Sequence, residues 1–188
     1  MTLFLIRHGQ TTANFDRIYS GQSDVKLTEL GRTQAENIAP ILANYNFDRV
    51  YSSDLSRAYD TARLAIPDCE PILTPLLREF DLGSITGWSI DKVRREYGPL
   101  KSDFSRFGGE SAGMVTERGV AFLKMLEENP CQLAACFTHN GLMKGILRGI
   151  LGSTVNTADM INDNCNIAVL KYENKKWKLA VWNLAGSF

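Results

Sequence analysis

Histidine is scarce in this chain of 188 residues, which contains only His8 and His139. Long apolar runs are absent as well. The N-terminal run 3–6 is too short for the apolar core of a signal peptide, and the stretch 133–151 is interrupted by a histidine, a lysine and an arginine. We therefore expect a cytoplasmic protein with no membrane span and no membrane partner.

An excess of charge of one sign is also lacking, because 21 Lys and Arg residues balance 21 Asp and Glu residues. The zero net charge gives no reason to expect nucleic acid as a partner. An anionic ligand would have to be bound by positive charge that is gathered in a local site.

Cysteine patterns that bind metal are missing too. The four cysteines form no C-x-x-C pair and show no zinc spacing, so we expect free thiols in a reducing compartment. A disulfide between two of them stays open at this point. The residues are Cys69, Cys131, Cys136 and Cys165.

Short strand-like runs alternate with helix-like runs along the chain. The pattern predicts strands over 2–6, 48–51 and 133–137, a hairpin over 166–182, and helices over 29–42, 54–66, 90–97, 111–126 and 141–151. Such alternation favours an α/β fold, here a three-layer α/β/α sandwich with a mainly parallel central sheet. We expect one domain over residues 1–188, in which the glycine-rich region 82–128 forms a small helical insertion over the ligand-binding end of the sheet.

Both histidines directly follow predicted strands. His8 comes after the run 3–6 and Arg7, and His139 comes after the run 133–137. Because the carboxyl ends of parallel strands face the ligand crevice, we expect both imidazoles at one edge of the sheet. Arg57 follows a third strand end within one helical turn. Together with Arg7 it favours a phosphate site, since guanidinium groups match phosphate oxygens in geometry.

Two other interpretations of the histidines have to be weighed. A single histidine after a strand is more often a hydrogen-bonded core residue. Two histidines at equivalent strand ends are also compatible with a metal site. The chain lacks the H-E-x-x-H motif, and no third histidine or thiol is placed to complete a zinc site. Arg7 beside His8 also suits an anion better than a divalent cation. We therefore favour phosphate chemistry over metal binding.

Several short segments, in the same order along nearly the whole chain, resemble those of the histidine phosphatase superfamily, also called the phosphoglycerate mutase-like family. The first is the signature around His8, with Asn14 shortly after it. The segments are Arg7-His8-Gly9-Gln10-Thr11, Gly21-Gln22-Ser23-Asp24, Ser52-Ser53-Asp54-Leu55-Ser56-Arg57, Leu77-Arg78-Glu79, Gly109-Glu110-Ser111 and Thr138-His139-Asn140-Gly141.

The resemblance implies a phosphomonoester hydrolase that works through a phosphohistidine intermediate without a metal or another cofactor. It implies that His8 is the nucleophile, that Glu79 is the general acid, and that His139 also takes part in catalysis. Phosphate binding falls to Arg7, Arg57, His139 and Asn14, and further substrate contacts to Gln10, Thr11, Gly21 and Asn140. Without the resemblance, Glu79 would be interpreted as a surface carboxylate paired with Arg78.

The expected substrate is a small phosphorylated metabolite, since chains of this length resemble α-ribazole phosphatase-like enzymes, broad phosphomonoesterases or the fructose-2,6-bisphosphatase type. A phosphoglycerate mutase-type transferase is the alternative, although mutases of the family typically carry a larger middle insertion. A non-catalytic member that binds a phosphorylated ligand is another. The protein is expected to be a monomer or homodimer.

The middle region departs from the family at Thr86, where many members have a glutamate. This departure makes one wall of the substrate site unusual. The region is also rich in basic residues, most of which we expect on a solvated helix face. One or two of them are candidates to contact a second anionic group on the substrate. They are Lys92, Arg94, Arg95, Lys101 and Arg106.

Overall fold

The computed structural model describes residues 1–100, 102–152 and 156–184. The strands are β1 (Thr2–Arg7), β2 (Arg49–Ser52), β3 (Ile72–Leu73), β4 (Leu133–Thr138), β5 (Ile167–Glu173) and β6 (Lys176–Val181). The α-helices are α1 (Thr12–Phe15), α2 (Glu29–Leu42), α3 (Ser56–Ala65), α4 (Ile90–Tyr97), α5 (Ala112–Glu128) and α6 (Asn140–Leu151). Single 3₁₀ turns cover Pro75–Leu77, Gly83–Ile85, Ser105–Phe107 and Thr157–Asp159.

The strands form one sheet in the order β3-β2-β4-β1-β5-β6. The pairs β2–β3, β2–β4 and β1–β4 are parallel, whereas β5 runs antiparallel to both β1 and β6. The predicted α/β fold with a mainly parallel sheet is therefore confirmed. The predicted elements are present within a few residues of their expected bounds. The very short α1 and β3 were not predicted, because four and two residues show no hydrophobic period.

Alternating side chains of β1 explain the layers. Leu3 and Leu5 pack into the core beneath α5 and α6, while Phe4 and Ile6 pack into the core beneath α2 and α3. All four side chains are buried, because a strand with helices on both faces exposes neither face to water. Helices lie on both sides of the sheet, as the sandwich requires.

The sheet places three chain segments at its carboxyl edge. Arg7 at the end of β1 pairs with Thr138 at the end of β4, so the residues that follow the two strands leave the sheet at the same level. Ser52 at the end of β2 pairs with Phe137 on the other side of β4. The three junctions that the sequence singled out are therefore neighbours.

The region 82–128 ends in α5, which packs against α6. Backbone hydrogen bonds join the region to the segment after α1: the amide of Tyr19 donates to the carbonyl of Trp88, at 2.9 Å, and the amide of Gly87 donates to the carbonyl of Tyr19, at 2.8 Å. Lys101, one of its basic residues, lies outside the described residues.

No helix among the described residues is long and apolar enough to cross a membrane. All four cysteines are free, with Cys136 and Cys165 buried, as the absence of paired spacing predicted.

Candidate active site

The two imidazoles meet at the carboxyl edge of the sheet. Their ring centroids are 5.1 Å apart, and the rings are inclined by 58°. The amide of His8 donates to the carbonyl of Thr138 at 3.0 Å, which continues the pairing of β1 and β4 and fixes the two histidines side by side. His8 is 5% exposed, and His139 is completely buried. The prediction that the two imidazoles lie together at one edge of the sheet is confirmed.

One nitrogen of the His8 ring is fixed by the backbone. Nδ1 lies 2.7 Å from the carbonyl oxygen of Gly9, which can only accept a hydrogen bond. The proton of a neutral ring therefore resides on Nδ1, and Nε2 keeps its lone pair. Gly9 itself is held closely, since its amide donates to Oγ1 of Thr61 at 3.0 Å and a Cβ at this position would overlap the carbonyl of Gly31.

Burial and neighbouring cations keep both imidazoles neutral. Burial lowers the pKa of His8 well below 6.5, and the positive charges of Arg57 and Arg7 lower it further, against a weaker opposing effect of the Gly9 carbonyl. Burial and then Arg57 lower the pKa of His139 in the same direction. At neutral pH, His8 is therefore unprotonated at Nε2.

An NMR titration measures this directly, because two histidines give only two imidazole Cε1–H signals. We expect both midpoints to lie well below pH 6.5. Since the unfolded chain takes up these protons at higher pH than the folded one, the free energy of unfolding should fall as the pH drops below 6.5. Arg57→Gln should raise both midpoints, because it removes a nearby positive charge. A midpoint at or above 6.5 in the wild-type protein would contradict this assignment.

Two guanidinium groups flank His8. Arg57 is 1% exposed and donates through Nη1 to the carbonyl of Ser23, at 3.0 Å, and through Nη2 to that of Gly21, at 2.7 Å. Arg7 donates through Nη1 to the carbonyl of Asn162. Burial lowers the pKa of Arg57 to about 10, so it stays charged at neutral pH.

Each of these arginines keeps unused donor capacity. The Nε atoms of Arg7 and Arg57 are buried and have no hydrogen-bond partner within the described parts of the chain, and the same holds for both ring nitrogens of His139. Buried donors are normally satisfied, and an unsatisfied cluster of them marks a place for a polar ligand. The three side chains lie close to the ring of His8, and the positive charge of the two arginines suits an anion.

Glu79 lies close to these cations, because its charge raises the pKa of both Arg7 and Arg57 against the effect of burial. Its Oε1 accepts from the amide of Phe80 at 2.9 Å, and its Oε2 accepts from the amide of Gly141 at 3.0 Å, in the first turn of α6. A Cβ at position 141 would overlap Oε1, so the close approach depends on glycine there. Arg78 pairs with Asp54 instead, at 2.6 and 2.8 Å, so Glu79 is not the surface partner of its neighbour.

Arg118 holds the segment that carries Glu79. Its guanidinium donates to the main-chain carbonyls of Leu76, Arg78 and Glu79, at 3.2, 2.5 and 3.2 Å. It also forms a two-pronged ion pair with Glu110, at 2.9 and 3.1 Å. Arg118 was not predicted as a site residue, because in the sequence it resembles any charged residue on an amphipathic helix. The only indication in the sequence was its ion-pair partner Glu110, which lies in the family-like segment Gly109-Glu110-Ser111.

Arg7, His8, Arg57 and Glu79 line a cavity of about 300 Å³, whereas His139, which is completely buried, is not part of its wall. Of the residues that the sequence proposed, Arg7, His8, Asn14, Gly21, Arg57, Glu79 and Asn140 lie on its wall. Gln10 and Thr11 face the scaffold instead. The side-chain oxygen of Gln10 accepts from the hydroxyl of Thr28 at 2.9 Å, and Oγ1 of Thr11 caps α1 by accepting from the amide of Asn14 at 3.1 Å. Their proposed substrate contacts gain no support from this geometry.

A sequence profile of the histidine phosphatase superfamily (branch 1) matches residues 3–185. The chain belongs to this superfamily. The resemblance recognised in the sequence motifs is therefore confirmed.

Similar proteins carry several activities in their names. Phosphoglycerate mutase-like protein 4 of Arabidopsis thaliana is 29% identical over 193 residues, which cover 96% of this chain and 84% of that protein. The α-ribazole phosphatase of Shigella flexneri has a TM-score of 0.87 at 28% identity, covering 98% of this chain and 97% of that one. The mycobacterial glucosyl-3-phosphoglycerate phosphatase, solved with VO₃, has a TM-score of 0.85 at 30% identity and coverages of 97% and 98%.

Two basic residues of the middle region, Lys92 and Arg106, contact aromatic rings and are not part of the cavity wall. Nζ of Lys92 lies 3.5 Å from the ring centroid of Trp88, and the guanidinium of Arg106 stacks on Tyr97 and Phe107, at 4.9 and 4.6 Å. Such cation–π contacts stabilise the insertion itself. Its contributions to the cavity wall are Leu82, Ile90, Ser102 and Phe104.

The described residues contain no group of three or more His, Cys, Asp and Glu side chains that could hold a metal ion. Thr86, at the unusual position, donates its amide to the carbonyl of Gly83 at 3.1 Å and thereby closes a 3₁₀ turn. It lies outside the cavity wall.

Proposed function

We propose that this histidine phosphatase hydrolyses a small phosphate monoester through a phosphorylated His8, without a metal or an organic cofactor. The observation that carries the proposal is the state of the His8 ring, which is neutral, has its proton fixed on Nδ1 by the Gly9 carbonyl and lies close to the charges of Arg7 and the buried Arg57. A neutral Nε2 beside an anion site is the arrangement that nucleophilic attack on phosphorus needs.

In the first step, Nε2 of His8 forms a bond to phosphorus, and the bond from phosphorus to the ester oxygen breaks. Arg7, Arg57 and His139 stabilise the charge on the phosphoryl oxygens during this displacement. Glu79, as the protonated acid, donates its proton to the leaving alkoxide, so the alcohol departs neutral.

In the second step, the same carboxyl group, now ionised, accepts a proton from water while the water oxygen attacks the phosphohistidine. The bond from phosphorus to Nε2 breaks, inorganic phosphate forms, and Glu79 regains its proton for the next cycle. The hydrogen bonds from Phe80 and Gly141 hold the carboxyl group in place for both proton transfers.

Hydrolysis is favoured over mutase chemistry by the small middle region, which has one α-helix of eight residues before α5. A mutase must shield its phosphohistidine from water until a second substrate oxygen arrives. The two phosphatase names among the similar structures support the same choice. We further propose an α-ribazole phosphatase-like or broad specificity and a cytoplasmic location. A monomer or homodimer stays a prediction.

Three assays on the purified chain distinguish the candidates. We expect hydrolysis of p-nitrophenyl phosphate that persists in excess EDTA and is inhibited by vanadate, which mimics the five-coordinate phosphorus of the displacement. In H₂¹⁸O, the released phosphate should carry one labelled oxygen, because water ends the cycle. With 3-phosphoglycerate and a bisphosphate primer, we expect phosphate release and little 2-phosphoglycerate.

Rapid interconversion of phosphoglycerates with little release of phosphate would support the mutase instead. A folded protein that binds phosphate but turns over none of these substrates would identify a binding module. Such a module would ordinarily lack one of the nucleophile, the acid or an arginine, whereas this chain retains all of them: His8, Glu79, Arg7 and Arg57.

A further inference from the structure

Three asparagine side chains form a hydrogen-bonded network beside the candidate active site. Nδ2 of Asn166 donates to Oδ1 of Asn162, and Nδ2 of Asn162 donates to Oδ1 of Asn140 at 2.9 Å. Asn166 is completely buried and Asn162 is 7% exposed, whereas Asn140 belongs to the wall of the cavity. The network therefore runs from the protein interior to the ligand-binding space.

The surroundings of Asn162 fix which end of its amide faces Asn140. Its Nδ2 also lies 3.6 Å from Sδ of Met143, and a thioether sulfur can accept a hydrogen bond but cannot donate one. The opposite orientation of the amide would place its oxygen against this sulfur and its nitrogen against the nitrogen of Asn166. Asn162 therefore presents a donor, and not an acceptor, to Asn140.

Asn140 in turn keeps its own nitrogen free for another partner. Its Oδ1 accepts from Asn162, and its Nδ2 makes no hydrogen bond within the described parts of the chain. Asn140 is half-buried at the first position of α6 and lines the cavity. Its Nδ2 is therefore a donor that a bound ligand can use.

The asparagine network is also connected to a phosphate-binding arginine of the candidate site. Nη1 of Arg7 donates to the main-chain carbonyl of Asn162, and Nε of Arg7 has no partner among the described residues. Asn140 directly follows His139, whose ring centroid lies 5.1 Å from that of His8. The free Nδ2 of Asn140 therefore lies near the groups that we expect to bind the phosphoryl oxygens.

We propose that the side-chain amide of Asn140 donates a hydrogen bond to a phosphoryl oxygen, and that Asn162 is the positioning residue that keeps this donor turned toward the ligand. The proposal rests on the proposed phosphatase function and adds a neutral donor to its cationic groups. An asparagine amide has a donor end and an acceptor end. Without Asn162, the Asn140 amide could also present its oxygen, which would repel an anion.

The test measures the Kd of inorganic phosphate, which has no leaving group, by NMR titration of the two imidazole Cε1–H signals. We expect Asn140→Ala to weaken phosphate binding about 10-fold, because one hydrogen bond to a charged group is lost. Asn162→Ala should weaken it about 3- to 10-fold in the wild-type background but by less than about 2-fold in the Asn140→Ala background, since Asn162 acts through Asn140. Asn44→Ala, the same change at an exposed position after α2, is the matched control and should leave Kd unchanged.

Asn162→Asp is a second variant, because it keeps the shape of the side chain but offers only acceptors to Asn140. The Asn140 amide should then turn over and present its oxygen to the ligand, which weakens phosphate binding. The added negative charge weakens binding as well, but that contribution is retained in the Asn140→Ala background. The loss should therefore be smaller in the Asn140→Ala background than in the wild-type background.

An unchanged Kd in Asn140→Ala would overturn the proposal. Equal losses for the Asn162 variants in both backgrounds would overturn it in favour of an effect through Arg7. A rise in the KM of phosphate monoesters without a change in the Kd of phosphate would overturn it by placing the amide at the leaving group. Since phosphate binding needs no turnover, failure to hydrolyse p-nitrophenyl phosphate would count against the phosphatase alone.

Discussion

His8→Ala should lower kcat for phosphate monoesters by at least about 10⁴-fold, because it removes the atom that forms the covalent intermediate. The loss should appear in kcat, since the arginines that bind the phosphate remain. After incubation with a ³²P-phosphorylated substrate, the wild-type protein should carry a label that is acid-labile and base-stable, as phosphohistidine is. The variant should carry no such label. Folding should be largely retained, which circular dichroism checks, because within the described part of the chain the ring makes one hydrogen bond, to its own neighbour Gly9.

His139→Ala is the matched control, because it removes the same kind of ring 5.1 Å away. We expect kcat to fall by about 10²- to 10³-fold, as when one donor to a transition-state oxygen is lost, while His8 is still labelled. Because the chain has only two histidines, any phosphohistidine in His139→Ala must be at His8. Phosphohistidine in His8→Ala, or label on His139 in the wild-type protein, would disprove the assignment of the nucleophile.

Glu79→Gln should lower kcat for an alkyl phosphate such as glycerol 3-phosphate by about 10²- to 10⁴-fold, because an amide cannot transfer a proton to the alkoxide. With p-nitrophenyl phosphate, whose leaving group needs little protonation, the phosphorylation step should be nearly normal. The second step still needs a base. Phosphorylated His8 should therefore accumulate, and a rapid release of one nitrophenolate per enzyme should precede slow turnover.

The control is Glu117→Gln, which makes the same change at an exposed position on α5 and should leave both substrates at wild-type rates. Equal losses on the alkyl and the aryl ester, without accumulation of phosphoenzyme, would argue against Glu79 as the proton donor. Such a result would instead indicate damage to the backbone around Gly141, whose amide donates to the Glu79 carboxylate in the wild-type protein.

Local patterns predicted most of the fold and the centre of the candidate site. The apolar run of β1 is followed by Arg7 and His8, and that of β4 is followed by His139. Residues close together in the chain therefore indicate both a strand and the point at which it ends. Parallel pairing then brings the strand ends together, so strand order alone decides that the two imidazoles meet. The catalytic roles themselves stay predictions.

Side-chain directions outside the strands were predicted less well. Gln10 and Thr11 lie close to His8 in the sequence. Their side chains nevertheless point away from the cavity, because they accept hydrogen bonds from the Thr28 hydroxyl and the Asn14 amide. The basic residues of the middle region suggested an anion contact, but Arg106 stacks on aromatic rings instead. Lys144 and Arg148 looked only like interruptions of an apolar run, although they line the cavity. Which face of a helix or loop meets a cavity depends on its packing partner.

The alternation of strands and helices, the family, and the two histidines and two arginines near strand ends could all be predicted from the amino-acid sequence, because each is encoded by residues close together in the chain. The proximity of Glu79 to those residues follows only from the folded arrangement. Its position depends on Gly141 and on Arg118, which lie 62 and 39 residues further along the chain and meet it through hydrogen bonds. Contacts between such distant residues leave no periodic signal in a single sequence, so His8 could be recognised from its neighbours, whereas its proposed acid acquired its place only from the packing of α5 and α6.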